Sequence, residues 1–423
     1  MIVDSITTLN TLIDSYKDSV SFLIPVHSDN RKHRSINTVC CLYFYNTTTD
    51  QEFILPLRHP DKLVEVTDLS FINTGRKIFT YNSQITNAVN IDALHYISSN
   101  KSIDYDSLLT QAHSTIYNKY WKLDNVNNFI PLTKHLEYCR KIKNTVIDLI
   151  DNTDSILDTY TNKIIPIFRS IEDAGLVTNS GIEYSQYNLW SITGRPSNAF
   201  NGINYAALNK EDGTRERFVS RFKDGKIVEF DFDAYHLRLI AKLIDFKFPD
   251  ESIHSYLGRF YFDKEVLTRD EYNQSKSVTF RILYGGVPSE FENIPFFSKM
   301  KSFIYELWDI YKRKGYIETP IYKRKIYSSN LSSRDIKPQT LFNYMIQAME
   351  TEQNIVIMED IQSILKDYQS KLILYTYDAL LFDIHPSETN LLNTIRDKML
   401  YPVKCKVGRN YNDMISHTFA NTL

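Results

Sequence analysis

A chain of 423 residues, 24% of them charged and 43% hydrophobic, is long enough for two or three domains with full cores. Its net charge of −2 excludes a generally basic coat, so contact with a polyanion has to come from local clusters such as Tyr322-Lys323-Arg324-Lys325 and Arg215-Glu216-Arg217. No apolar run approaches the roughly 18 residues of a membrane span, and Met1-Ile2-Val3-Asp4-Ser5 lacks a basic-then-apolar signal pattern; the expectation is a cytoplasmic chain without a membrane partner.

In chain order, strands are predicted at Phe22–Val26, Thr38–Phe44 and Gln51–Leu55, joined by polar turns such as Asn46-Thr47-Thr48-Thr49-Asp50. With the helices that follow, residues 1–142 read as a mixed α/β domain. The four cysteines, Cys40, Cys41, Cys139 and Cys405, show no CxxC pairing; neither a zinc site nor a disulfide framework is indicated, and buried reduced thiols are expected. From 143 to 175 apolar residues including Ile147, Ile150, Ile156, Leu157, Ile164 and Phe168 recur at three- and four-residue intervals, a helical pattern that stops at Gly175. Beyond it come β-like segments around 231, a helical block over 251–317, a helix over 338–366 and a hairpin, 371–378 against 380–384.

Two of these short hydrophobic strands each deliver one aspartate. Val228-Glu229-Phe230-Asp231-Phe232 carries Asp231, and Leu372-Ile373-Leu374-Tyr375-Thr376-Tyr377-Asp378 carries Asp378. Between them lies Lys276 with Phe280 and Tyr284, spaced by four and eight and so along one face of a helix. Phosphoryl transfer places charge on both the attacking and the leaving oxygen, and two hard cations about 3.5–4 Å apart, held by few but rigid carboxylates, stabilise both. Asp231 and Asp378 are therefore candidate ligands for two Mg²⁺ ions, and Lys276 is the candidate cation for a triphosphate.

The second half of the chain, from about Asn162 onward, resembles the family A DNA polymerases in several blocks in the correct order. Asp231-Phe232-Asp233-Ala234-Tyr235-His236-Leu237-Arg238 resembles motif A, written DYSQIELR, with His236 where the family has the glutamate that excludes a 2′-hydroxyl, and with Arg238 on its arginine. Lys276 to Gly285 resembles motif B, KxxNFGxxYG, with Tyr272 where the family has an arginine. Thr376-Tyr377-Asp378-Ala379 resembles motif C, VHDE. Thr193-Gly194-Arg195-Pro196-Ser197 is similar to the TGRLSS segment. Gly315 to Thr319 with Lys323-Arg324-Lys325 is similar to GYxETxxGRRR. Asn343 and Gln347 match the N-(x)3-Q helix, and Val407 to Tyr411 is similar to the terminal VGxNW.

The resemblance implies an α/β (α+β) architecture: an N-terminal ribonuclease H-like exonuclease-type domain (1–142), a helical linker or vestigial thumb (143–192), and a palm with an antiparallel sheet plus helical fingers (193–423, fingers about 250–330). It implies nucleotide contacts from Lys276, Phe280, Tyr284, His236 and Arg238, and DNA contacts from Arg195, Asn343, Gln347 and Arg324. The exonuclease chemistry is missing. That activity needs aspartates and a glutamate for two metals, whereas the corresponding blocks read Ile24-Pro25-Val26-His27-Ser28-Asp29, Tyr81-Asn82-Ser83-Gln84-Ile85-Thr86 and Tyr138-Cys139-Arg140-Lys141-Ile142. Gly175 and Thr193 are only eighteen positions apart, where the family has its helical thumb, so the thumb is expected to be nearly absent.

The expected activity is template-directed addition of deoxynucleotides to a primer without proofreading, in a phage-encoded enzyme whose weak grip on primer–template is restored by a processivity or thumb-replacing subunit. Two alternatives stay open: a primase-like or ribonucleotide-tolerant polymerase, suggested by His236, and a catalytically silent DNA-binding replication subunit.

Overall fold

The computed structural model describes the chain apart from residues 17–19, 30–31, 62–63, 67–68, 70–71, 73–76, 81–87, 113–129, 153, 329–335 and 420–423. It divides into two compact units, Met1–Arg169 and Ser170–Leu423. The helical stretch expected as part of a linker therefore belongs, up to Arg169, to the first unit.

The first unit is built on a five-stranded sheet in the order β3-β2-β1-β4-β5, with β1 Ser21–His27, β2 Val39–Asn46, β3 Gln51–Pro56, β4 Ile78–Thr80 and β5 Val89–Asn90. The first three strands pair antiparallel, whereas β4 runs parallel to β1 and β5 parallel to β4. Strands β1 and β2 are buried along nearly their whole length, which fits their continuous runs of Phe, Leu, Ile, Cys and Tyr. Helices α1 Ile6–Tyr16, α2 Ile91–Ser99, α3 Tyr105–Ala112 and α4 Leu132–Val146 accompany the sheet. The unit ends in α5 Ser155–Thr159, a π-helical turn over Tyr160–Ile164, and the first part of α6 Ile165–Ala174. Pro166 lacks an N–H to continue the helical ladder, and the wider turn lies directly before it.

The second unit opens with the hairpin β6 Leu176–Thr178 and β7 Gly181–Glu183, then β8 Tyr187–Asn188, β9 Ser197–Phe200 and β10 Ile203–Asn204. No helix stands between Ala174 and Thr193. Its centre is a second five-stranded sheet, β14-β15-β11-β16-β17, from β11 Lys226–Phe232, β14 Lys371–Tyr375, β15 Ala379–Ile384, β16 Val403–Gly408 and β17 Met414–His417. All its pairings are antiparallel. A small hairpin, β12 Tyr316–Glu318 with β13 Lys325–Tyr327, lies apart from it.

The helical block expected over 251–317 is three helices: α8 Ile253–Phe262, α9 Arg269–Gly285 and α10 Pro295–Lys314, preceded by α7 Tyr235–Leu243. Asp263 ends α8 in a left-handed conformation, and Thr268 with Glu271 forms a capping box that restarts the chain as α9. Gly315, at φ 74°, ends α10. Their apolar faces share one core containing Leu237, Leu257, Ile282, Phe296, Phe297 and Met300, closed by Phe342 and Ile346 of the long helix α11 Pro338–Leu365. Helix α12 Leu391–Lys398 follows β15. Among the described residues no helix is long and apolar enough to cross a membrane.

Candidate active site

Strand β11 is the middle strand of the second sheet, and its pairing with β15 sets Asp231 opposite Ala379. The residue before Ala379 is Asp378, whose carbonyl accepts the Phe232 amide at 2.8 Å, so the two aspartates meet at one end of the sheet. The turn that presents Asp378 is tight. Tyr377 sits at φ 68°, a conformation costly for a bulky side chain, and Asp378 N donates to Thr376 O at 2.9 Å.

Asn354 of α11, fully buried, holds that strain in place by donating to the Tyr377 carbonyl at 2.6 Å and to Tyr375 Oη at 3.0 Å. Its own oxygen accepts the Tyr235 hydroxyl at 2.7 Å. One amide thus ties the turn after β11 to the turn after β14.

Burial, with Asp378 and Glu229 nearby, pushes the Asp231 carboxyl up to about 6. Burial and then Glu350 raise Asp378 as well. Two half-desolvated carboxyls that resist ionisation side by side are a donor set that a divalent cation satisfies, and the expected Mg²⁺ fits these residues.

Above the aspartates is a cavity of about 400 Å³ lined by Asp231, Asp378, Lys276, Phe280, Tyr284 and His236 among others. Lys276, Phe280 and Tyr284 project into it from α9, where Thr279 and Leu283 beside them are buried and also line the cavity, and Ser275 and Ile282 are buried away from it. Phe280 and Tyr284 stack at 6.2 Å with 11° between their planes, and both are exposed, at 51% and 38%. Exposed, parallel aromatics beside a lysine form a platform for a flat ring. Lys404 also lines the cavity and bonds Asp233 Oδ1 at 2.6 Å; although burial works the other way, Lys404 and Arg238 hold the Asp233 carboxyl low.

The polar wall is organised by Glu350, a residue the sequence reading did not single out. Its carboxylate is 1% exposed, 2.8 Å from Arg195 Nε and 2.9 Å from His236 Nε2, at ion-pair distance without full hydrogen-bond alignment. His236 Nδ1 contacts the Tyr284 hydroxyl, and the Arg195 guanidinium lies 3.8 Å over the Tyr377 ring. A carboxylate does occur beside the sugar-facing position that the resemblance assigns to 236. It comes from α11 and stands at ion-pair distance from the imidazole. The signal available in the sequence was Ala348-Met349-Glu350-Thr351-Glu352, two carboxylates close together between the apolar stretches of one long helical segment.

Not every expected residue reaches the cavity. Arg238 turns away and donates to the Asp233 carbonyl at 2.8 Å. Arg324 is 2% exposed and donates to Ile192 O at 2.9 Å, so it is an internal tie and not a surface contact for DNA. Asn343 donates to Tyr284 O at 3.1 Å, fastening α11 to the end of α9. Gln347 is half-buried on the same helix. In the basic cluster at 215–217, Arg215 is spent on Leu208 O and the Tyr411 ring, and Arg217 on Glu183.

No family model matches the chain. It is 22% identical to DNA polymerase I of Lactococcus lactis over 298 residues, which is 61% of this chain and 33% of that protein. It is also 25% identical to DNA polymerase I of Geobacillus stearothermophilus over 235 residues, covering 47% and 26% respectively. The chain therefore spans about a third or less of these relatives. Among solved structures it resembles the POL domain of Pol1 from M. smegmatis, determined in complex with DNA primer-template and dNTP. The TM-score is 0.70 at 12% identity, with 96% of this chain and 98% of that one covered. The chain has the fold of a polymerase domain. Asp231 and Asp378 thus stand at the sheet end of a polymerase-type fold, with α9 facing them.

Proposed function

We propose that the chain is a template-directed DNA polymerase that extends a primer 3′ end with deoxynucleotides. The observation that carries this reading is the convergence of Asp231, Asp378 and Lys276 on one cavity beneath the Phe280–Tyr284 platform. Asp231 and Asp378 would hold two Mg²⁺ ions, which when bound offset the charge on the attacking and leaving oxygens. Lys276 receives the triphosphate, and Phe280 with Tyr284 stacks on the nascent base pair. Arg195, fixed by Glu350 and Tyr377, and Asn343 with Gln347 on α11 face primer and template.

His236, clamped between Tyr284 and Glu350, stands where the sugar would lie. A fixed side chain at that position favours deoxyribose over ribose. His236→Glu, measured with both nucleotide classes, tests whether the imidazole sets that choice.

The first unit reads as an exonuclease-type scaffold without its metal carboxylates. Tyr138 and Ile142 are buried in α4, and the block 81–86 lies outside the described residues. The direct hairpin connection from α6 to Thr193 supports a reduced thumb, and with it a weak hold on duplex that a partner subunit supplements. Extension of a labelled primer with Mg²⁺ at low salt tests the proposal. The expected product is deoxynucleotide-dependent and lost in Asp231→Ala; a template-independent product, or one surviving that substitution, refutes it.

A further inference from the structure

The spacing of the cysteines gives no hint of a metal site, yet the fold gathers two of the four with a histidine. Successive residues of a regular strand point to opposite faces, so Cys40 and Cys41 ought to be far apart. They are not, because β2 carries a bulge there. Val26 pairs with Cys41 and His27 with Val39, which leaves Cys40 as the extra residue, its carbonyl accepting both Leu57 N at 2.8 Å and Arg58 N at 2.9 Å. The bulge turns both thiols to one side, with their sulfurs 3.8 Å apart.

From the facing helix α4, His135 and Cys139 are four residues apart and so lie on one face. Ligand atoms of Cys40, Cys41 and His135 all lie within 4.8 Å of one another. Cys139, one helical turn beyond His135, lies outside that group of three. All four residues are 0% exposed.

We propose that Cys40, Cys41 and His135 hold one structural zinc ion that clips the bulged strand to α4, with Cys139 on the same face of α4 drawn in as the fourth ligand when the ion binds. With Zn–S bonds of about 2.3 Å, a tetrahedral site sets its sulfurs roughly 3.8 Å apart, which is the separation found here. Complete burial leaves no position for substrate, so the ion is structural.

The test is elemental analysis of the full chain, purified under reducing conditions from zinc-supplemented medium without chelator. About one zinc per chain is expected. Cys41→Ser and His135→Ala are expected to reduce it to background, whereas Asp231→Asn with Asp378→Asn leaves it unchanged, separating this site from the cavity of the second unit. Because those ligand variants risk misfolding, Co²⁺ is also exchanged into wild type, where a thiolate-to-cobalt charge-transfer band is expected. Substoichiometric zinc in wild type, or a cobalt spectrum without that band, overturns the site.

Discussion

Glu350 shows how one residue can organise a pocket without facing the reacting atoms. Its carboxylate lies between Arg195 and His236, so Glu350→Gln leaves the half-buried Arg195 guanidinium without its counter-charge and removes the carboxylate beside the His236 imidazole. Breaking a buried pair from one side costs on the order of 3–5 kcal/mol before relaxation. As a positioning residue, Glu350 is expected to act on KM for the incoming nucleotide and on ribose discrimination more than on binding of primer–template. Equal losses for both nucleotide classes and for DNA would mark it as merely structural. His254, which also lines the cavity, is lowered to about 4 by burial and by Lys276. The unfolded chain takes up that proton near the ordinary value of 6.5, while the folded chain resists until about 4. Its contribution to stability is therefore complete above pH 6.5 and declines as pH falls from 6.5 to 4. Urea midpoints across that range are expected to fall less steeply for His254→Asn than for wild type. At this scale Asp231, Asp378 and the Lys276–Phe280–Tyr284 face were legible because few arrangements place such residues in that order. Glu350, Lys404 and Asn354 were not, since their roles depend on contacts across more than a hundred residues of chain or between separate strands and helices. Arg238 and Arg324 were placed at ligand contacts by their positions in the resembling motifs, whereas Arg238 donates to the Asp233 carbonyl and Arg324 to the Ile192 carbonyl.

Among the elements, the first three strands followed from apolar runs and turn chemistry, and the expected hairpin of 371–378 against 380–384 is β14 and β15, with the first strand ending at Tyr375 and residues 376–378 in the turn. The block over 251–317 was harder. Its helical periodicity runs on across short links, and nothing local announces that Asp263 adopts a positive φ. Helices α8 and α9 meet where Gly258 faces Ser275, whose hydroxyl donates to the His254 carbonyl at 2.9 Å. A methyl group at 258 would run into Leu267 Cδ1 and Ser275 Cβ. Overpacking there costs about 1–3 kcal/mol, while alanine in a helix recovers about 1 kcal/mol. Gly258→Ala is thus expected to be destabilising by about 1 kcal/mol in urea unfolding and to weaken nucleotide binding through the displaced α9; an increase in stability would show that the contact yields. The bulge at Cys40 was equally illegible, since it depends on β1 and β3 as well as on β2.

For the whole molecule, the resemblance in the sequence conveyed a mixed architecture with an antiparallel sheet behind the aspartates, and the stretch from Gly175 to Thr193, where a reduced thumb was expected, holds strands and turns and no helix. The sequence did not convey where the chain divides, because a continuous helical pattern runs across Arg169 and Ser170. If the proposed thumb reduction leaves few phosphate contacts, affinity for primer–template is expected to fall only roughly ten- to hundredfold between about 50 and 200 mM salt, a shallow slope. A primer with a mismatched 3′ end is expected to stay untrimmed in Mg²⁺ or Mn²⁺, and shortening of that primer by a homogeneous preparation would restore a nuclease to the first unit. The most direct test of the account is single-turnover incorporation of one deoxynucleotide at low salt with Mg²⁺, comparing wild type with Asp378→Asn. The account predicts a one-nucleotide product from wild type and a rate lower by on the order of a thousandfold in the variant, with primer–template binding retained. Equal rates for the two proteins, or no product from wild type, would contradict it.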